Sequence, residues 1–251
     1  MEKQYSCILN YGGGVGSTAL TVALVKGYIP DIQVKETLLV FADTGAERPW
    51  TYEYLEYFKM FCKKNGLALE MVRREYTLEE YVFHSGILPS RRIRWCTQRL
   101  KIQPIRRRAV LGDISRPYVQ LIGFHAGEES RLTKRSLYSD CIEKYPLIEL
   151  KWDRLRCIDE IKKMGLHVPK KSACFCCPFQ RLGTFVTIMR SCPDLKRRVI
   201  NLEDFSIEHS NGKRPFYLFR EPIRDLIGRT DSIIERAKKR KTYLDDFGII
   251  C

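Results

Sequence analysis

Apolar residues in the first half of the chain fall into short unbroken runs, separated by longer stretches of mixed character. Tyr5-Ser6-Cys7-Ile8-Leu9-Asn10-Tyr11 is partly β-branched and aromatic and suits a buried strand. Gly12-Gly13-Gly14-Val15-Gly16-Ser17-Thr18 follows, and then an apolar run from Ala19 to Val25 predicts a helix ending near Gly27, with Ser17 or Thr18 as its cap. Thr37 to Ala42 reads as a second buried strand, closed by Asp43-Thr44-Gly45. A helix is predicted from Pro49, suited to a first turn, to about Lys64. Leu67–Val72 reads as a third strand, and Tyr118–Ile122 as a fourth that ends at Gly123. Strands that alternate with helices predict an α/β fold: a doubly wound, mostly parallel sheet with helices on both faces. In such sheets ligands sit at the carboxyl ends of strands, and the glycine loop, Asp43-Thr44-Gly45 and Gly123 all fall at such ends.

From about Tyr145 the character changes. This part carries Cys157, Cys174, Cys176, Cys177, Cys192 and Cys251, with helical stretches near Arg154–Met164 and Ile223–Lys239. The expected organisation is a nucleotide-binding α/β core over residues 1–145 and a cysteine-rich helical extension over 146–251, packed together as one structural domain. Trp50, Tyr54 and Tyr57, and likewise Phe185 and Met189, have helical spacing and read as packing residues. His84, His125, His167 and His209 are scattered singly and read as structural or surface residues.

Lys and Arg outnumber Asp and Glu by 44 to 30, a net charge of +14. The excess lies in clusters at Arg91-Arg92-Ile93-Arg94, Arg106-Arg107-Arg108, Lys170-Lys171, Lys196-Arg197-Arg198 and Lys238-Lys239-Arg240-Lys241. One cluster alone reads as a solvated helix face, but the total favours a polyanionic partner, nucleic acid first. No run approaches the ~18 apolar residues of a membrane span. The N-terminus lacks the basic-then-apolar order of an export signal, so a cytoplasmic protein without a membrane partner is expected. Ten cysteines in such a setting point to metal ligation or redox chemistry rather than to a disulfide framework.

The glycine loop offers bare N–H groups and a helix N-terminus to an anion. It is not a Walker loop, because Gly16 stands where that loop has Lys, and not a dinucleotide fingerprint, because Ser17 stands at the third Gly. Cys174-Phe175-Cys176-Cys177-Pro178 contains a C-x2-C pair with an extra Cys inside, while Cys96 and Cys157 lie upstream. Zinc and iron–sulfur clusters both use sets of four cysteines, and spacing alone does not separate them. Cys7 and Cys62 read as small buried hydrophobes.

In their order these features resemble the phosphoadenosine-phosphosulfate (PAPS) reductase family, within the PP-loop ATP pyrophosphatase, or adenine-nucleotide alpha-hydrolase-like, superfamily. Gly13, Gly14 and Ser17 match the PP-loop, while Gly12 and Gly16 replace its Ser and Asp. Phe41-Ala42-Asp43-Thr44-Gly45 with Glu47 and Pro49 resembles the second-strand motif. Cys96 with Lys101 and Pro104, then Gly123 with Glu128 and Arg131, then Tyr145-Pro146-Leu147 with Trp152, and finally Cys174 with Cys177, resemble the later ones. The likeness spans roughly residues 5 to 180. It implies that Gly12, Gly13, Gly14, Ser17, Thr18, Asp43, Thr44, Gly45, Gly123 and Glu128 bind ATP and its magnesium, and that Lys101 and Arg131 offset charge at the transferring phosphate. It also implies a 4Fe–4S iron–sulfur cluster held by Cys96, Cys174 and Cys177. Thr97 occupies the place of the family's neighbouring Cys, so the fourth ligand must come from elsewhere. Cys157 is the choice, Cys176 and Cys192 compete, and a three-cysteine site with an open iron that binds sulfide is the other arrangement.

Sulfonucleotide reductases of this family carry a nucleophilic Cys in a terminal Glu-Cys-Gly-x-His-like motif. This chain ends Asp246-Phe247-Gly248-Ile249-Ile250-Cys251, without that acid or His. The resemblance therefore implies ATP-dependent sulfur insertion into nucleic acid: adenylation of the substrate with release of pyrophosphate, then sulfur transfer. The branch most alike is that of the DNA phosphorothioation ATP pyrophosphatases, preferred slightly over tRNA thiolation. A cysteine desulfurase is the expected sulfur source, and a homodimer is left open. The alternatives are a sulfonucleotide reductase releasing sulfite and a non-catalytic, zinc-containing nucleic-acid-binding protein.

Overall fold

The computed structural model describes residues 5–132, 138–210 and 217–239. In chain order the first elements are β1 (Tyr5–Asn10), α1 (Val15–Val25), β2 (Thr37–Ala42), α2 (Pro49–Lys64), β3 (Ala68–Val72), α3 (Leu78–Ser85) and the single turn α4 (Trp95–Thr97). Then come α5 (Gln103–Leu111), β4 (Ile114–Ile122), β5 (Cys141–Lys144), α6 (Pro146–Glu149), α7 (Arg154–Lys163), α8 (Leu182–Ser191), α9 (Pro193–Glu208), α10 (Ile223–Gly228) and α11 (Thr230–Lys239). They form two compact units whose segments interleave. The first takes residues 1–42, 50–72 and 102–172, and the second takes 43–49, 73–101 and 173–251. This interleaving differs from the expected division at residue 145.

The first unit is the α/β layer. Its five strands run in the order β3-β2-β1-β4-β5 and every pairing is parallel. All six residues of β2 are buried, as a central strand covered on both faces requires. Alternate residues serve opposite faces. Cys7, Leu9, Leu39 and Phe41 join the core that holds α1, α2 and α7, while Ile8, Leu38, Val40 and Ala42 join Ile105 and Ala109 of α5. The sheet is therefore doubly wound, as expected. Tyr11 stacks on Phe58 with ring centroids 4.7 Å apart, and Trp50 and Tyr54 are buried.

The second unit is helical over its described residues. Thr77 caps α3 in a reciprocal box with Glu80, and the helix stops at Gly86 with φ of 68°. Phe185, Met189, Val199 and Leu202 are buried, and the Glu203 carboxylate accepts hydrogen bonds from the N–H groups of Leu218 (3.1 Å) and Ile223 (2.6 Å). The stretch expected as one helix over Ile223–Lys239 is two, α10 and α11, parted at Arg229 directly after Gly228. Cys251 lies outside the described residues.

Candidate functional site

The sheet order reverses between β1 and β4, so the loops after these two strands flank the switch point of a doubly wound sheet, where ligands bind. The glycine loop follows β1 and Gly123 follows β4. Helix α1 starts at Val15, earlier than its apolar run suggested, and Gly14 is its N-cap. Neither Ser17 nor Thr18 caps it. Instead Ser17 Oγ accepts the Gly12 N–H at 3.1 Å and donates to the Gly14 carbonyl at 3.2 Å, which ties the loop closed. Thr18 is wholly buried, its hydroxyl 3.3 Å from the Tyr11 hydroxyl. Gly13 has φ of 66°, which a side chain would strain. The first N–H groups of α1 have no partner inside the helix, and no acidic residue stands in that turn, so this end suits an anion.

On the same unit, the turn from Gly123 to Arg131 is closed by Glu128. Its carboxylate accepts the His125 N–H at 3.3 Å and pairs with Arg131, whose guanidinium lies 4.0 Å from the Phe124 ring centroid. Cys157, chosen above as the fourth cluster ligand, is wholly buried in the apolar core around α1 and α7. Burial pushes its thiol up to about 12. Those are the surroundings of a small hydrophobe, and they lend the ligand role no support.

The second unit gathers the remaining candidates. Asp43 Oδ1 accepts the Gly45 N–H at 2.8 Å, and its carboxylate lies 3.7 Å from Arg73. Gly45 has φ of 70°, and a Cβ there would lie 2.4 Å from Thr77 Cγ2. Thr44 Oγ1 stands 3.3 Å from Cys174 Sγ, and the Cys174 thiol lies 3.5 Å from Glu47 Oε1. Lys101 Nζ donates to the same Glu47 oxygen at 2.9 Å. A bridge between Glu47 and Cys174, with Phe175 N–H donating to the Ala46 carbonyl at 2.9 Å, holds these segments in register. Burial would lower the Lys101 ammonium, but the charge of Glu47, and then of Cys174 as thiolate, outweighs it and holds Lys101 well above its usual value.

Burial is also the main force on the thiols, raising Cys174, Cys176 and Cys96 above their ordinary range. Each of these thiols also feels the charge of Cys177. Beneath them lies Arg48, fully buried, donating to Gln180 Oε1. Burial lowers this guanidinium to about 10, against the opposing pull of Cys177, Glu47 and Cys174. Sequence reasoning missed Arg48; its only signal was a charge between Glu47 and Pro49 in a segment that buries both acid and base. Cys192 is disulfide-bonded, which removes it from the free thiols. Among the described residues no three His, Cys, Asp or Glu side chains stand as a site for a single metal ion.

No family model matches this sequence, and no curated protein matches it. Among solved structures, the chain is similar to phosphoadenylyl-sulfate (PAPS) reductase from Candida auris in its phosphate complex, at 17% identity over 68% of this chain and 76% of that one, with a TM-score of 0.47. It is similar to NH3-dependent NAD synthetase from Campylobacter jejuni with nitrate, at 12% identity over 98% and 90%, TM-score 0.45. It is also similar to the U34-tRNA thiolase NcsA from Methanococcus maripaludis with its [4Fe-4S] cluster, at 12% identity over 97% and 74%, TM-score 0.45. With each score below 0.5, the functional reading rests on the residues of this chain.

Proposed function

We propose that this chain is an ATP pyrophosphatase that inserts sulfur into nucleic acid, with DNA phosphorothioation preferred over tRNA thiolation. One observation carries the reading. Thr44, of the turn expected at the nucleotide, and Cys174, of the C-x2-C pair expected at the sulfur, share a hydrogen-bonded group with Glu47 and Lys101. A purely structural Asp-Thr-Gly turn has no need of a thiol, a carboxylate and an ammonium in contact.

In the proposed reaction a substrate oxygen attacks the α-phosphorus of ATP, and the bond to the β-phosphate breaks with release of pyrophosphate. A cysteine desulfurase carries the sulfur as a persulfide, from which a thiol reductant releases sulfide with formation of a disulfide; the sulfide then attacks the activated atom. AMP leaves with its bonding electron pair, so this displacement step itself is redox-neutral. The N–H groups of Gly13 and Gly14 and the N-terminus of α1 hold the phosphates, with Ser17 fixing their loop. Magnesium would accompany them. The nucleotide-binding role is proposed for Gly12, Thr18, Gly123 and Glu128 of the first unit and, each by itself, for Asp43, Thr44 and Gly45 of the second. Arg131 and Lys101 are the cations proposed to offset phosphoryl charge.

The residue types proposed here are those an iron–sulfur cluster uses. Cys96, Cys174 and Cys177 are thiols of one unit, and the Arg48 and Lys101 cations beside them would balance thiolate charge. Cys176, buried and lying between Cys174 and Cys177 in sequence, is the fourth candidate. Bound there, a 4Fe–4S cluster would supply a position for sulfide. The test uses anaerobically purified protein: iron and sulfide content, then pyrophosphate release from ATP with DNA, tRNA or neither. Iron with nucleic-acid-stimulated release is the expected outcome, and DNA should stimulate more than tRNA. Sulfite released from a sulfonucleotide, without ATP turnover, would overturn the proposal in favour of the reductase.

A further inference from the structure

Several exposed guanidiniums among the described residues have a carboxylate: Arg197 has Asp194, Arg224 has Asp204 and Arg229 has Glu221. Arg91, Arg92, Arg94 and Arg99 form a cluster of another kind. All four are exposed, they fall within nine residues, and none has a carboxylate at ion-pair distance among the described residues. They border a row of aromatic rings in the same unit. Tyr76 lies 5.5 Å from Tyr81, and Tyr81 lies 4.3 Å from Trp95, centroid to centroid. Arg74 lies 5.4 Å from the Tyr76 centroid, Arg99 5.1 Å from Tyr81, and Arg94 4.6 Å from Phe179, a ring 48% exposed. Arg91 Nε donates to the Pro178 carbonyl at 3.1 Å, fastening the basic loop to the C-x2-C segment.

Charge alone would suit any polyanion, and rings alone would suit packing. Their alternation is what distinguishes the surface. Guanidiniums interleaved with aromatic faces take phosphates and unstacked bases together, which a closed duplex cannot offer because its bases are already stacked on one another. The chain also places this row directly beside the thiols: Trp95 precedes Cys96, and Phe179 follows Cys177-Pro178.

We infer that the face built from Tyr76, Tyr81, Trp95, Phe179 and the basic loop 91–99 binds unpaired nucleotides, and so selects single-stranded or locally opened nucleic acid. This deepens the thiolation reading, on which it rests only for the sense of bringing a loosened nucleotide to the thiols. Binding itself is independent of that chemistry.

Fluorescence anisotropy on the full chain tests it, without ATP or sulfur donor, using labelled single-stranded DNA, single-stranded RNA and duplex DNA of about twelve nucleotides. Either single strand should bind at least tenfold tighter than the duplex and quench the Trp95 emission, a signal lost in Trp95→Phe. Phe179→Ala and Tyr76→Ala should each weaken single-strand binding about tenfold and leave duplex binding unchanged. Arg92→Ala should weaken all three and lower the salt dependence. Phe179 and Arg92 are exposed, so unchanged melting temperatures will separate lost contacts from lost fold. Equal affinity for duplex and single strands, untouched by Phe179→Ala and Tyr76→Ala, would overturn the inference. A protein that prefers single strands yet releases no pyrophosphate keeps this face and loses the thiolation reading; the converse result does the opposite.

Discussion

Gly16 and Gly123 meet backbone to backbone: a Cβ on Gly16 would fall 2.2 Å from the Gly123 carbonyl oxygen, and a Cβ on Gly123 would fall 2.8 Å from Ser17 N. The contact joins the loop after β1 to the end of β4, at the point where the strand order reverses. Because the obstacle is backbone, it cannot rotate aside as a side chain would. Gly16→Ala and Gly123→Ala should each cost about 1–3 kcal/mol, the range of overpacking in a tight interior. A Cβ on Gly12 meets nothing within 4 Å, so Gly12→Ala should change stability by less than ~0.5 kcal/mol. Urea unfolding of the three variants checks the ranking, and equal midpoints would remove the contact from the account of the loop.

Ser17 bonds within the loop rather than pointing away from it. Ser17→Ala removes the acceptor of the Gly12 N–H and the donor to the Gly14 carbonyl, at a cost of about 1 kcal/mol. The proposed phosphate contacts come from backbone N–H groups, so the variant should bind ATP more weakly without losing binding altogether. Isothermal titration measures this; ATP affinity unchanged beside a lowered melting temperature would confine Ser17 to stability.

Where a signal was local, the sequence disclosed it. The β2 run Thr37–Ala42 and the α2 span from Pro49 to Lys64 have the predicted boundaries, because apolar content, proline and basic end residues all agree there. The start of α1 was not legible, since the helix begins among glycines, where apolar periodicity is silent. The short strand β5 at Cys141–Lys144 was overlooked for a related reason: it has only four residues, two of them charged. Helix α3 was overlooked although Thr77-Leu78-Glu79-Glu80 spells its capping box. Of the site, the residues in motifs were visible and the buried Arg48 was not, because nothing in the composition marks a charge for burial. The swap of segments between units belongs to tertiary packing and leaves no trace in local pattern.

Gly45 and Thr77 form a second steric pair, this time against a side chain. Gly45→Ala meets both an unfavourable backbone, φ of 70°, and the Thr77 methyl at 2.4 Å. Thr77→Ser removes that methyl and keeps the hydroxyl that caps α3. Thr77 Cβ, 2.7 Å from the added carbon, stays in the double variant. That variant should therefore recover only part of what Gly45→Ala loses and keep that contact together with about 1 kcal/mol of backbone strain. Thr77→Ala, by contrast, should itself cost about 1 kcal/mol through the lost cap. Additive losses in the double variant would show that the methyl contact carries no energy.

Glu203 gives a pH signature. Burial raises its carboxyl above the usual range, more than the N–H groups of Ile223 and Leu218 lower it. A group whose folded value is raised contributes most stability below its unfolded value and loses it as pH climbs through the folded one. The stability difference between wild type and Glu203→Gln should then fall as pH rises from the ordinary carboxylate value upward. Thermal melts across that window provide the check, and a difference that grew with pH would reverse the sign assigned to burial.

The pair between Lys101 and Glu47 separates structure from chemistry, because removing either partner leaves a different group behind. Glu47 is only 2% exposed at its side chain, whereas Lys101 is 43% exposed. Lys101→Met leaves a buried carboxylate without its cation, beside Cys174, and should cost about 1–3 kcal/mol. Glu47→Gln removes the buried charge and keeps an amide oxygen that can accept from the ammonium, so its cost should be smaller, about 1 kcal/mol. Joining the two substitutions should recover most of the stability lost in Lys101→Met, since no charge is then left unpaired. Pyrophosphate release should not recover, since the proposed role of Lys101 is to offset charge on the transferring phosphoryl group. Unfolding and pyrophosphate assays on the three variants decide the matter. Turnover that returned with stability in the double variant would mean that Lys101 acts only by neutralising Glu47.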